Sequence, residues 1–128
     1  WKPIYHKVQE LFPAYKDISL EEFYVEINHI RNGFIRCDSD EVTYAFHIIL
    51  RYELEKELIS GRLSVSDLPA AWNAKMQEYL KITPKNDAEG ILQDMHWSDG
   101  SFGYFPTYAL GNIYDGMFRQ VILCQCLV

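Results

Sequence analysis

The run DEVTYAFHIILRYELEKELIS, from Asp40 to Ser60, has the pattern of a long helix. Its acidic start suits the positive end of a helix, and Gly61 directly after it is the residue that most readily forms a left-handed helix stop. Apolar side chains go nearly all the way round the segment, which predicts a helix that is buried on most sides. One stripe, with a residue at every fourth position, stays polar: Thr43, His47, Arg51 and Glu55.

This polar stripe has two interpretations. It could line a cleft, or it could be a solvated face on which Arg51 and Glu55 form an ordinary pair one helical turn apart. His47 has no second metal-ligand type four residues away, so a structural role is favoured for it over a ligand role.

The rest of the chain also carries helix signals. Ser19 and Glu22 have the spacing of a capping box, and Pro69 follows Asp67 at the position where proline favours a helix start. The fold class is therefore all-α, with one short hairpin allowed near residues 98–104 by the turn signal Asp99-Gly100. The further predicted helices are Tyr5–Phe12, one through Phe23, Ile27 and Ile30, Asp67–Tyr79 and Pro106–Phe118.

Composition limits the function classes. The 128 residues are 48% apolar and 15% aromatic, enough to bury a core, so we expect one helical unit over 1–128 rather than a disordered chain. A net charge of −6 without a basic cluster argues against nucleic-acid binding. No apolar run is long enough to span a membrane, and we expect no signal peptide before the first helix. The odd number of cysteines (Cys37, Cys124 and Cys126) favours reduced thiols in the cytoplasm.

The segment Gly90–Trp97 concentrates directional polar groups. Gln93, Asp94, His96 and Trp97 place an amide, a carboxylate, an imidazole and an indole within five positions. An aromatic and glycine-rich run, residues 102–108, follows. A core segment would have to satisfy each of these polar groups internally, so the pattern favours a lined cleft.

Two motifs in the chain match one known family. The segment 90–97 fits G-x-x-Q-D-x-H-W, and Ile35–Asp40 fits I/N-R-x-x-A/S-D. The sequence therefore resembles the carboxypeptidase Taq family, thermostable zinc metallocarboxypeptidases that trim residues from peptide C-termini. The resemblance runs from about Trp1 to Tyr114 and implies the C-terminal portion of a mainly helical, neurolysin-like metallopeptidase fold.

The departures from the family pattern are equally specific. The zinc-binding H-E-x-x-H helix and the H-E-S/G-Q stretch do not occur in the sequence. The chain is thus expected to be a partial catalytic domain with no metal ligand of its own, inactive alone, and the zinc implied by the resemblance would be bound outside it. The resemblance also implies a homodimer.

Arg36 has two interpretations: a solvated side chain at a helix start, or a cation that grips a carboxylate with both arms of its planar fork. The resemblance implies the second, because a carboxypeptidase has to recognise a free peptide C-terminus. Asp38 and Asp40 could cap the next helix or orient Arg36. For Asp40 we favour both roles.

His96 is the strongest catalytic candidate, although a lone histidine is more often structural. In zinc peptidases related in fold to this family, a His and a Tyr stabilise the tetrahedral oxyanion; His96 and Tyr104 fit that arrangement, with Tyr108 as the alternative. Asp94 could fix the imidazole tautomer. Tyr108, Gln93, Asp94 and Trp97 join Arg36 as candidate substrate-binding residues, with Trp97 a wall of the cleft.

Two other functions stay open for these 128 residues. The chain could be a catalytically inactive helical fragment that at most binds peptide C-termini through Arg36, or an interaction module in which the motifs serve packing alone. In each case we expect an exposed apolar patch and self-association.

Overall fold

The computed structural model describes residues 1–126, without the side chain of Cys126, and all regular elements in that range are helical. This confirms the all-α prediction. The short hairpin allowed near residues 98–104 does not form. Gly100 and Gly103 take left-handed conformations (φ +83° and +76°), and the chain closes on itself in local turns in which the Ser101 N–H donates to the His96 carbonyl at 2.7 Å.

The chain divides into two compact units, Trp1–Ile30 and a second that begins at Arg31, where the sequence predicts one unit over 1–128. The first unit contains α1 (Tyr5–Leu11), a 3-10 turn (Pro13–Tyr15) and α2 (Leu20–Ile27). Its predicted capping box is confirmed: the Ser19 hydroxyl accepts from the Glu22 N–H, and Glu22 accepts from the Ser19 N–H at 2.8 Å. Ile30, predicted on the apolar side of this helix, lies beyond its end and is exposed.

The second unit contains α3 (Thr43–Ile59), α4 (Leu68–Leu80) and α5 (Pro106–Cys126), with 3-10 turns at Arg36–Asp38 and Val65–Asp67. Gly61 has φ +74° and stops α3 as predicted, and a proline lies in the first turn of α4. The predicted end of α5 at Phe118 is wrong, because the helix continues to Cys126.

The core of the second unit lies between α3 and α4. It is formed by the buried side chains of Leu50, Leu54, Leu68, Trp72, Met76 and Leu80. Trp97 packs against it from the segment between α4 and α5, and its ring meets that of Trp72 edge-on at 6.4 Å between centroids. The core therefore brings the Q-D-x-H-W segment against α3.

The polar stripe of α3 faces the interior, and much of its apolar surface faces outward. His47 and Arg51 are fully buried, while Thr43 and Glu55 are nearly so. Phe46 and Ile49, in contrast, are 37% and 41% exposed. The prediction of burial on most sides was therefore wrong, because partners from distant segments bind Arg51 and Glu55 and draw that stripe inward.

Helix α5 carries many exposed apolar side chains, among them Leu110, Ile113, Met117, Phe118 and Ile122. The self-association expected from the sequence stays a prediction. No helix among the described residues is both long and apolar enough to cross a membrane.

Replacing Trp72 by alanine is expected to lower the free energy of unfolding by about 3–5 kcal/mol, because it removes the largest fully buried ring and leaves a cavity. The matched control is Ile59→Ala on α3, where the side chain is 68% exposed and the loss should stay below about 1 kcal/mol. Urea unfolding followed by circular dichroism measures both, and equal losses in the two variants would contradict this core.

Candidate functional site

Gln93 fastens the two motif segments to each other. Its side-chain oxygen accepts the backbone N–H of Arg36 at 2.9 Å, 57 residues away in sequence, and its amide nitrogen donates to the Phe34 carbonyl at 2.9 Å. The same nitrogen donates to the Gly90 carbonyl at 3.1 Å. A Cβ at Gly90 would lie 3.3 Å from the Asn86 carbonyl oxygen, a tight contact that favours glycine at the head of the motif. Gln93 is thus engaged by the protein itself.

Asp94 holds two arginines with one carboxylate. Its Oδ1 accepts from Arg36 Nε and Nη2 at 3.0 and 2.8 Å, and its Oδ2 accepts from Arg51 Nε at 2.6 Å. Arg51 Nη2 also lies 2.6 Å from Oδ2. This contact is an ion pair, but its geometry is not that of a second hydrogen bond. Burial opposes ionisation of Asp94, but the two arginines outweigh it and hold its pKa below the ordinary value.

The arginine–aspartate cluster carries one positive charge in excess, since two guanidinium groups share a single carboxylate. Burial lowers the pKa of Arg51 to about 10 against the opposing pull of Asp94, so Arg51 is still charged at neutral pH. For Arg36, burial would lower the pKa, but the hydrogen bonds that it donates to Asp94 raise it above the ordinary value. This excess charge favours an anion nearby.

Arg36 is 7% exposed and most of its donors are already occupied. Nε and Nη2 face Asp94, and Nη1 donates to the Tyr44 hydroxyl at 3.1 Å. Its guanidinium carbon lies 4.7 Å from the centroid of the Tyr108 ring. The fork expected to grip a substrate carboxylate therefore grips Asp94 in this structure, and Nη1 is the nitrogen left beside the two tyrosines.

Asp40 caps α3. Its carboxylate accepts from the N–H groups of Val42 and Thr43 and from the Thr43 hydroxyl, each at 2.9 Å. Burial would raise the pKa of Asp40, but these hydrogen bonds lower it to about 2. The motif aspartate thus holds the start of α3, which lies five residues after the end of the 3-10 turn that carries Arg36.

His96 pairs with Tyr108, the alternative candidate, at 3.0 Å between Nε2 and the hydroxyl oxygen. Tyr104 is 47% exposed, with its ring centroid 5.5 Å from that of His96. Asp94 lies 3.9 Å from His96 Nδ1, too far for a hydrogen bond, so the expected fixing of the imidazole tautomer by Asp94 is not observed. The structure brings the imidazole and both phenols together at one end of α5.

Trp97 is not a free wall of a cleft. Its indole N–H donates to Glu55 Oε2 at 2.6 Å, and the other oxygen of Glu55 accepts from the N–H of Gly103. The ring of Phe105 lies edge-on against Trp97 at 5.9 Å between centroids. Trp97 therefore links the core to the segment that carries His96 and Tyr104.

The sequence interpretation left four residues of this site out of its candidates, Tyr44, His47, Arg51 and Glu55, although it named the last three in a polar stripe that could line a cleft. The signal was present for the last three, since a polar stripe on an otherwise apolar helix needs partners. Those partners, Asp94, Trp97 and Gly103, are more than 40 residues away in sequence. Nothing in the local pattern distinguishes such partners from water.

The described residues offer no metal site. No group of three or more His, Cys, Asp or Glu side chains within residues 1–126 is arranged to hold a metal ion. The candidate histidines have other neighbours: His96 pairs with Tyr108, and His47 lies next to Arg51. The zinc that the resemblance implies does not fit the residues present, so no step through a metal is derived for them.

Comparison with known proteins identifies the same family that both motifs indicate. The family described as carboxypeptidase Taq (M32) metallopeptidase matches residues 1–125. The chain belongs to the M32 family. It is 55% identical over 124 residues to Carboxypeptidase 1 of Bacillus subtilis (strain 168) and 45% identical over 120 residues to Thermostable carboxypeptidase 1 of Thermus thermophilus.

The match to these M32 relatives is partial on their side. It covers 96% of this chain and 25% of the Bacillus protein, and 94% of this chain and 24% of the Thermus protein. The crystal structure of BsuCP superposes with a TM-score of 0.88 at 55% identity, again over 96% of this chain and 25% of the other. The chain thus spans about a quarter of the length of the M32 carboxypeptidases it matches and has the corresponding helical fold.

Acid is expected to destabilise the second unit through His47. Burial, and then the charge of Arg51, lower its pKa to about 4, whereas the unfolded value is 6.5. Between those values the unfolded chain binds a proton that the folded chain refuses, so stability is present above pH 6.5 and falls as the pH drops towards 4. From pH 7 to pH 5 the loss should be on the order of 1–2 kcal/mol.

Urea unfolding at pH 7 and pH 5 measures this loss, and His47→Gln is the matched variant, because its uncharged side chain removes the titration. Asp94 does not confuse the comparison, since its lowered pKa moves its contribution to pH values below about 4. An identical pH dependence in the two proteins would show that His47 is not buried in its neutral form.

Proposed function

We propose that the full-length protein carrying these 128 residues is a metallocarboxypeptidase that releases C-terminal amino acids from peptides, and that this part binds the terminal carboxylate and stabilises the oxyanion. Family membership supports the reaction class. The observation that carries the substrate assignment is the excess positive charge of the Arg36–Asp94–Arg51 cluster, placed beside His96, Tyr104 and Tyr108.

The excess charge favours an anionic ligand because a single carboxylate cannot neutralise two guanidinium groups. Arg36 Nη1 and the Tyr44 hydroxyl offer the donors on the side away from Asp94. Since Tyr44 accepts from Arg36, its own O–H remains to donate to a bound carboxylate. The terminal carboxylate of a peptide fits these donors through one nitrogen of Arg36 and one phenol.

His96 and a tyrosine are proposed to donate to the oxygen on which negative charge develops. The hydrogen bond between His96 and Tyr108 holds both groups in place, and Tyr104 is the more exposed of the two phenols. Such donors stabilise charge best when they are already positioned before the reaction. Asp94 and Gln93 are proposed to contribute indirectly. Gln93 holds the backbone N–H of Arg36, and Asp94 holds its guanidinium group.

For the 128 residues alone we propose peptide binding without turnover. The lack of a metal site among the described residues favours this function for the isolated chain. The cytoplasmic location, and the homodimer implied by the resemblance, remain predictions.

Release of an amino acid from a blocked dipeptide, with zinc added, tests the reaction class. Turnover is expected from the full-length protein and not from the 128-residue chain. A full-length protein that does not hydrolyse such substrates would contradict the proposed function.

Replacing Arg36 by glutamine in the full-length protein is expected to raise KM for a free-acid peptide by about 10- to 100-fold, because a charge-assisted hydrogen bond is lost. KM for the same peptide with a C-terminal amide should change little. The matched control is Arg62→Gln, where the exposed side chain pairs with Glu57 alone. Equal effects of Arg36→Gln on the acid and the amide would contradict carboxylate recognition by Arg36.

A further inference from the structure

The polar stripe of α3 connects one helix to both motif segments. Thr43 donates to Asp40 at 2.9 Å, at the end of the first motif. Arg51 donates to Asp94 in the second, at 2.6 Å. Glu55 reaches further along the chain, to Trp97 and Gly103. The proposed binding of a terminal carboxylate gives no role to the two contacts of Glu55.

Both oxygens of Glu55 are engaged on either side of the candidate catalytic groups. Oε2 accepts the Trp97 indole N–H, one residue after His96, and Oε1 accepts the backbone N–H of Gly103, one residue before Tyr104. Glu55 is 7% exposed and lies on a helix that belongs to the core. A single side chain thus fixes both flanks of the turn between His96 and Tyr104.

The turn itself is held by short-range bonds. The Ser101 N–H donates to the His96 carbonyl, Asp99 accepts from Ser101, and the Phe102 N–H donates to the Gly100 carbonyl. Such bonds set the shape of a turn and not its position against a helix. The contacts of Glu55 join this turn to α3 across 42 and 48 residues of sequence.

We propose that Glu55 is a positioning residue for the reaction, because it holds the turn that carries His96 and Tyr104 against α3. The inference rests on the proposed function and extends it to a residue outside both motifs. Glu55 acts through Gly103 and Trp97, so the expected effect is on the placement of the oxyanion donors and not on the binding of the terminal carboxylate.

A carboxylate is the side chain that this position needs. Two N–H donors converge on it, and a carboxylate offers two acceptor oxygens and no donor. Glu55→Gln keeps nearly the same side-chain volume. Its amide NH2 group would face one of the two N–H donors and could not accept a hydrogen bond from it. Glu55→Asp keeps both acceptors on a side chain shorter by one methylene.

The test compares Glu55→Gln, Glu55→Asp and the control Glu53→Gln in the full-length protein. Glu53 lies on the same helix and pairs with Lys75 and Tyr79 at the surface. The measurements are kcat and KM for a blocked dipeptide, the thermal unfolding midpoint, and hydrogen exchange by mass spectrometry in the peptide that contains Gly103 and Tyr104.

We expect Glu55→Gln to lower kcat about 10-fold, since a misplaced catalytic donor loses rate steeply with distance. KM should stay within about twofold of the unmutated value, because the carboxylate donors are untouched. Exchange in the peptide containing Gly103 should accelerate. Glu55→Asp should fall between Glu55→Gln and the unmutated protein, and Glu53→Gln should match the unmutated protein.

Unchanged kcat and unchanged exchange in Glu55→Gln would overturn the inference while the proposed function stands. An equal loss of kcat in Glu53→Gln, or a rise in KM that accounts for the whole loss, would overturn it as well. If Glu55→Gln does not fold, Glu55→Asp is the variant that tests the inference. A kcat of Glu55→Asp equal to that of the unmutated protein would overturn it. An unmutated full-length protein without activity overturns the proposed function instead.

Discussion

The second unit depends on one shared carboxylate. Asp94 binds Arg36 through one oxygen and Arg51 through the other, and so joins the turn before α3, the interior of α3 and the segment between α4 and α5. Removing this carboxylate would leave two buried guanidinium groups without a counter-charge. The hydrogen bonds of Gln93 and Glu55 lie on either side of this cluster and extend the same attachment.

This attachment explains why α3 places polar side chains inside. Burying Arg51 and Glu55 is unfavourable in itself, and an apolar stripe of similar volume would pack with less desolvation. A polar stripe fixes the positions of its partners more strictly than an apolar stripe, because each hydrogen bond requires a particular distance and angle. The same directionality places Arg36, His96 and Tyr108 beside one another, an arrangement that the proposed chemistry requires.

Local rules predicted the parts of the fold that local interactions determine. The capping box of Ser19 and Glu22, the stop at Gly61 and the all-α class follow from residues close together in sequence. The two motifs indicated the family because each is a short continuous stretch that can be matched to the family pattern directly. The hairpin near residues 98–104 was wrong because the same glycines that signal a hairpin also permit compact turns.

Long-range partners determined the rest. The inward face of α3 could not be derived from its periodicity, because Asp94 and Trp97 satisfy Arg51 and Glu55 from about 42 residues away. The sequence offered Asp38 and Asp40, in the same segment as Arg36, as the carboxylates that could orient it. The structure shows that Asp94, 58 residues later, takes that role, and the motif residues Gln93 and Trp97 likewise face the protein.

A double-mutant cycle between Arg51 and Asp94 tests whether the second unit depends on this shared carboxylate. The free energy of unfolding in urea would be measured for the unmutated chain, Arg51→Met, Asp94→Asn and the double variant. A shared buried carboxylate predicts a coupling energy on the order of 3 kcal/mol, with the double variant much more stable than the sum of the single losses implies. Losses that add within about 0.5 kcal/mol would contradict it, because they would show that the two side chains do not depend on each other.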